Sequence, residues 1–180
     1  MRFFVLAVLT LMIGTSLASA QSPYAGDELR PLKSLSAKEV ESLRTGQGMG
    51  FAKLAELNHY PGPKHVLKLA DELDLSAAQV AETEGLFQEM RHNAIALGEQ
   101  LLAAEMELDR HFQEESIRPK SLQSALLAIG KLRAQLRYVH LEAHLRQRSL
   151  LTAEQIARYD ELRGYRGAAQ DHQGHSKSHK

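Results

Sequence analysis

The chain has 180 residues with equal numbers of basic and acidic side chains, 22 of each, nine histidines and no cysteine. The balance gives no general drive toward nucleic acid or anionic lipid, so neither is expected as a partner. Without cysteine there is no disulfide, thiol catalysis, zinc ribbon or iron–sulfur cluster, and stability must come from packing. Arg2 precedes an apolar run from Phe3 to Ile13, and Ala18-Ser19-Ala20 forms a small-residue cleavage site. This reads as a signal peptide cleaved after Ala20, which places the mature protein in the periplasm. A retained membrane anchor ranks second, because the run is shorter than the roughly 20 residues a spanning helix needs.

The roughly 160 residues that remain suit one core. Gly and Pro divide them into segments of helical periodicity, and no alternating strand pattern appears. The predicted class is all-α: an elongated antiparallel helical hairpin with short flanking helices.

Residues 21–62 form an N-terminal helical extension that can wrap around the hairpin. Within it, Ser36-Ala37-Lys38-Glu39 is a capping box, and its helix should stop before Gly46. A short apolar segment runs from Met49 to about Leu57. Gly46, Gly48 and Gly50 lack the preceding strand and the Lys-Ser/Thr of a phosphate loop, and read as a flexible joint. The domain proper spans 63–164. Tyr60-Pro61-Gly62-Pro63 starts a helix to about Leu73, and long helices are expected from Ala77 to about Glu115 and from about Pro119 to Leu150. A last short helix ends at Gly164.

The long helices are patterned to pair. Phe87, Met90, Ala94, Leu97, Leu101, Ala104 and Leu108 alternate spacings of three and four, as do Leu122, Ala125, Ile129, Leu132, Leu136, Val139 and Ala143. Ala77 to Ser116 holds nine acidic and two basic residues, whereas Pro119 to Leu150 holds six basic residues and only Glu142. A short turn makes such helices antiparallel. Each buried Leu contributes about 1.5–3 kcal/mol and each exposed ion pair about 0–1 kcal/mol, so the seam holds the hairpin and charge sets its orientation. A helix about 60 Å long leaves a thin body, and a homodimer is expected to cover it.

One heptapeptide occurs twice. Leu75-Ser76-Ala77-Ala78-Gln79-Val80-Ala81 and Leu151-Thr152-Ala153-Glu154-Gln155-Ile156-Ala157 each open a helix with an N-cap hydroxyl and a Gln three residues on. The pair resembles the Leu-Thr-x-x-Gln motifs of the Spy/CpxP family of periplasmic chaperones and of the related CnrX/ZraP-type heavy-metal sensor and resistance proteins. The resemblance covers about Pro63 to Gly164 in matching helix order. It implies a curved antiparallel dimer that holds unfolded periplasmic proteins without ATP, or a metal-binding sensor that works through a membrane sensor kinase or anti-sigma factor. Strong chaperones of the family tend to be basic, and this chain is not.

Histidine is the only obvious ligand resource. His172, His175 and His179 lie in a polar Gly/Ser-bearing tail, 165–180, that reads as disordered and either solubilises the chain or wraps an ion such as Zn²⁺, Cu²⁺ or Ni²⁺. His140 and His144 share one helix face beside the seam. They can bind one metal, or serve as half-exposed packing residues of a coiled-coil flank. Their His-x-Glu-x-His order differs from a zincin. Glu56/His59 and Glu89/His92 have the Glu-x-x-His spacing of di-iron bundles, but the first lies at a helix end and the second falls off the seam. No nucleophile, base and orienting group assemble, so no catalytic residue, enzyme activity or required cofactor is expected.

Overall fold

The computed structural model describes residues 22–165, and among these every regular element is helical. After a 3-10 turn at Asp27–Leu29, the helices are α1 (Ala37–Thr45), α2 (Lys53–Glu56), α3 (Pro63–Lys68), α4 (Ala77–Gln113), α5 (Pro119–Leu150) and α6 (Ala153–Leu162). The cleavage site and the tail histidines lie outside the described residues.

The punctuation in the sequence sets these bounds. Ser36, Ser76 and Thr152 each cap a helix through a complete capping box with Glu39, Gln79 and Gln155. Gly46 closes α1 in a left-handed conformation at φ 68°, which glycine adopts without steric cost. Pro63 and Pro119 occupy the first turns of α3 and α5, where a missing N–H costs nothing. α3 is shorter than the spacing predicts. Its regular part ends at Lys68, and the chain continues in turns to Asp74, which has φ 48°.

α4 and α5 pack antiparallel along their predicted seam. Ala94, Leu101, Ile129, Leu136 and Ala143 are buried, and Leu97, Leu108, Leu132 and Val139 are half-buried beside them. Leu32, Leu35 and Leu43 from the N-terminal extension join the same apolar cluster, so residues before Pro63 contribute to the hairpin's core. α1 crosses α4 at Gly98, where a Cβ would lie 2.4 Å from the Leu43 carbonyl oxygen. Only glycine allows this approach.

Polar pairs fix the rest. Buried Glu105 accepts from Arg133 Nη2 at 2.6 Å and from Ser34 Oγ at 3.0 Å, joining α4 to α5 and to the extension. Gln147 donates to Thr83 at 3.1 Å inside the hairpin. A second small core, of Val66, Leu73 and Tyr159, sits at the end where α3, the start of α4 and α6 meet.

Candidate functional site

The site is built where α2 and the Tyr60-Pro61-Gly62-Pro63 turn lie against the C-terminal half of α5 and against α6. α2 is a single turn whose last residue is Glu56. The Tyr159 hydroxyl on α6 donates to Glu56 Oε1, and the Tyr165 hydroxyl donates to the same oxygen at 3.2 Å. His65 Nδ1 and Arg163 Nε approach it at 3.4 and 3.5 Å, and His144 Nδ1 lies 3.6 Å from Oε2. Burial opposes the charge on Glu56, but the hydrogen bonds from His65 and Tyr159 and the fields of His144 and His65 outweigh it and bring its pKa to about 2. Tyr159 is pushed upward, first by burial and then by the carboxylate it serves. Its phenol is therefore a proton donor to Glu56 and no base.

The turn is clamped from both sides. His59 Nδ1 lies 2.7 Å from Asp160 Oδ2. Arg148 donates to the His59 carbonyl and places its guanidinium 4.6 Å from the Tyr60 ring centroid. His144 Nδ1 lies 2.7 Å from the Tyr60 carbonyl oxygen. A carbonyl only accepts, so the Nδ1 proton is fixed there, and Nε2 of the neutral ring carries the lone pair.

His140 differs from the flank residue that the heptad predicts: it is 3% exposed. The Gly48–Phe51 segment covers it, with the Phe51 ring stacked at 5.9 Å between centroids and 23° between planes. Its Nε2 has no hydrogen-bond partner. Burial first, and the nearby His144 second, lower its pKa to about 4, so it is neutral at pH 7.

Glu56, His65, His140, His144 and Tyr165 face a cavity of about 830 Å³ between the Gly46–Gly50 segment, α2, α3, α4 and α5. His140 and His144, predicted as one face, both line it, together with His65 and Glu56. Among the described residues no cluster of three His, Asp or Glu side chains is placed to hold a metal ion. The carboxylate nearest the pair, that of Glu56, is instead surrounded by proton donors. The Glu89/His92 pair stays off the seam, with Glu89 bound bidentately by Arg146 at 3.0 and 2.9 Å. Glu56 and His59 diverge onto two consecutive residues of α6, Tyr159 and Asp160.

Glu56 and Tyr159 are the centre that sequence reasoning missed. The signal was Glu56 itself, an acid in a short apolar helix just before a Pro-Gly-Pro turn, but nothing in the sequence points from it to a residue 103 positions later.

The chain defined by this fold and site is a helical-hairpin protein with a wrapped N-terminal extension. No protein-family model, curated protein or solved structure matches it.

Proposed function

We propose that the protein is an exported stress-response factor that holds unfolded polypeptides in the periplasm without ATP, by a Spy/CpxP-like mode. The observation that carries this reading is a second apolar stripe on α5. Leu127, Ala134, Tyr138, Leu141 and Leu145 recur at spacings of seven, four, three and four, on the side opposite the buried Ile129, Leu136 and Ala143. Leu127, Tyr138 and Leu145 are 69%, 63% and 57% exposed. At ~1.5 Å per residue the stripe is about 27 Å long, enough to hold a short apolar segment of a client. Lys131 falls within it, between Leu127 and Ala134, and Arg137 flanks it. Exposed apolar side chains grouped on one helix face in this way suit an interaction site.

A homodimer belongs to the same reading, because the thin hairpin leaves outer faces uncovered. The test is aggregation suppression on several unrelated denatured proteins, comparing the mature chain with the double variant Leu127→Lys/Leu145→Lys. Both positions are exposed, so the fold should survive. The reading expects near-stoichiometric suppression by the parent and loss of it in the variant. Equal activity of the two, or no suppression by a several-fold excess of the parent, would overturn it. Sedimentation of both proteins separates a client face from a subunit interface: the variant stays dimeric only if the stripe is a client face.

The alternative reading is a periplasmic heavy-metal-binding sensor or resistance protein that works through a membrane sensor kinase or anti-sigma factor. It is supported by His140 and His144 sharing one cavity wall. Zn²⁺, Cu²⁺ and Ni²⁺ are the candidate ions.

A further inference from the structure

We propose that the cavity beside His140 binds a small amphiphilic organic acid, a molecule with an apolar body and one carboxylate. Its volume of about 830 Å³ falls in the range of small-molecule sites, roughly 300–1,000 Å³. The walls are apolar and adaptable: Met49, Leu57, Phe87 and Met90 come from the glycine segment, the residue that follows α2, and α4, and methionine repacks around irregular ligands.

Apart from Glu56, the permanent charge around this apolar wall is of one sign. Lys53 of α2, Lys64 of α3 and Arg91 of α4 all line the cavity. Neither lysine has an ion-pair partner among the described residues, and Arg91 bonds only the Thr45 carbonyl, through Nε at 3.3 Å. Glu56 is the one carboxylate in the lining; it is ionised, with Arg163 Nε of α6's C-terminal end 3.5 Å away as its cationic partner and Tyr159, Tyr165 and His65 hydrogen-bonded to it. A ligand entering here meets three cations without an ion-pair partner among the described residues, which favour an anion over an ammonium.

His140 supplies the polar contact inside. Its side chain is almost wholly buried in the cavity wall and its Nε2 bonds nothing. A buried ring nitrogen left so is costly, and a carboxyl group of the ligand would satisfy it. The three outer cations and this inner imidazole therefore read one acidic group, and the methionine and phenylalanine side chains read the carbon chain. This inference is independent of client binding, which uses the opposite, outer face of α5.

The test is methyl NMR of the mature chain labelled at methionine, titrated with decanoate, decanol and decylammonium. Met49 and Met90 report on the cavity, and exposed Met106 on α4 is a remote control. Decanoate should shift Met49 and Met90 saturably while Met106 stays still. Decanol should bind about tenfold more weakly, and decylammonium more weakly again. The variant Lys53→Gln/Lys64→Gln should lose about tenfold in decanoate affinity with unchanged decanol affinity and melting temperature. Equal affinity for acid and alcohol, preference for the ammonium, or equal shifts at Met106 would each overturn the proposal, as would no shift with any of the three.

Discussion

Gln79 and Gln155 exchange two side-chain hydrogen bonds, Nε2 of Gln79 reaching Oε1 of Gln155 at 2.8 Å and the reverse bond spanning 3.2 Å. They are the third helical residues of the two heptapeptide copies, so the repeat meets itself in space. Each amide oxygen also accepts from the backbone N–H of its own cap, Ser76 or Thr152, at 3.0 Å. Each Nε2 further donates to a carbonyl across the junction, Leu150 at 2.8 Å for Gln79 and Leu73 at 3.2 Å for Gln155. The arrangement explains why both copies carry Gln, since a Glu could close the capping box but could donate nothing.

Replacing Gln155 by Glu should keep the helix cap and lose both donated bonds, costing about 1–3 kcal/mol. The alanine double-mutant cycle of Gln79 and Gln155 should give a coupling energy of about 0.5–3 kcal/mol in urea unfolding. Additive single effects would mean that the two amides act as separate caps.

Leu101 is 1% exposed in the centre of the hairpin, and Leu101→Ala should cost about 2–5 kcal/mol of unfolding free energy. Glu99, two residues away and exposed, should tolerate alanine within about 0.5 kcal/mol. Thermal melts of the two variants check the assignment of faces, and similar losses would contradict it.

The hairpin was legible because periodicity and caps are local. Leu101, Leu136 and Ala143 could be assigned to a seam from spacing alone, and Ser76 and Thr152 to helix starts from their neighbours. The surroundings of His140 were not legible, because its burial depends on Phe51 and the glycine segment folding back from 89 positions earlier. The same holds for Glu56, whose partners Tyr159 and His144 reach it only through tertiary packing. The outer stripe from Leu127 to Leu145 shows a different failure. A helix apolar on two sides blurs its own amphipathic signal, so the inner seam can be read while the outer one is overlooked.

His140 and Glu56 should produce acid sensitivity in two windows that meet near pH 4. The unfolded chain protonates His140 near its ordinary 6.5, whereas burial holds the folded ring neutral down to about 4. The unfolded state binds the extra proton between these values, so stability falls as pH drops through them, by on the order of 3 kcal/mol in all. Glu56 is held at about 2 against an ordinary 4.5. Its stabilisation is complete above about 4.5 and is lost as pH falls toward 2. His140→Phe, which keeps a ring against Phe51, should flatten the upper window and leave the lower one. Glu56→Gln should weaken the protein at neutral pH and flatten the lower window. Urea unfolding from pH 7 to pH 3 measures both slopes, and an unchanged upper slope in His140→Phe would show that its burial is not what the acid limb reports.

Metal binding separates the tail from the helix pair by the same proton logic. Neutral imidazole is the ligand, so affinity falls as the histidines protonate. A site made by His172, His175 and His179 should weaken as pH drops below about 6.5, the value for an unperturbed ring. Deleting residues 168–180 should then remove most Zn²⁺ or Cu²⁺ binding. A site made by His140 and His144 has one member already neutral down to about 4, so it should retain metal further into acid than the tail. Such a site should also raise the melting temperature, because metal held by packed side chains binds the folded state selectively. The double change His140→Ala/His144→Ala should remove binding there while the tail deletion spares it. Calorimetry of the intact mature chain with micromolar Zn²⁺, Cu²⁺ and Ni²⁺ at neutral pH decides whether either exists, and no heat with any of the three would eliminate both sites and with them the sensor reading.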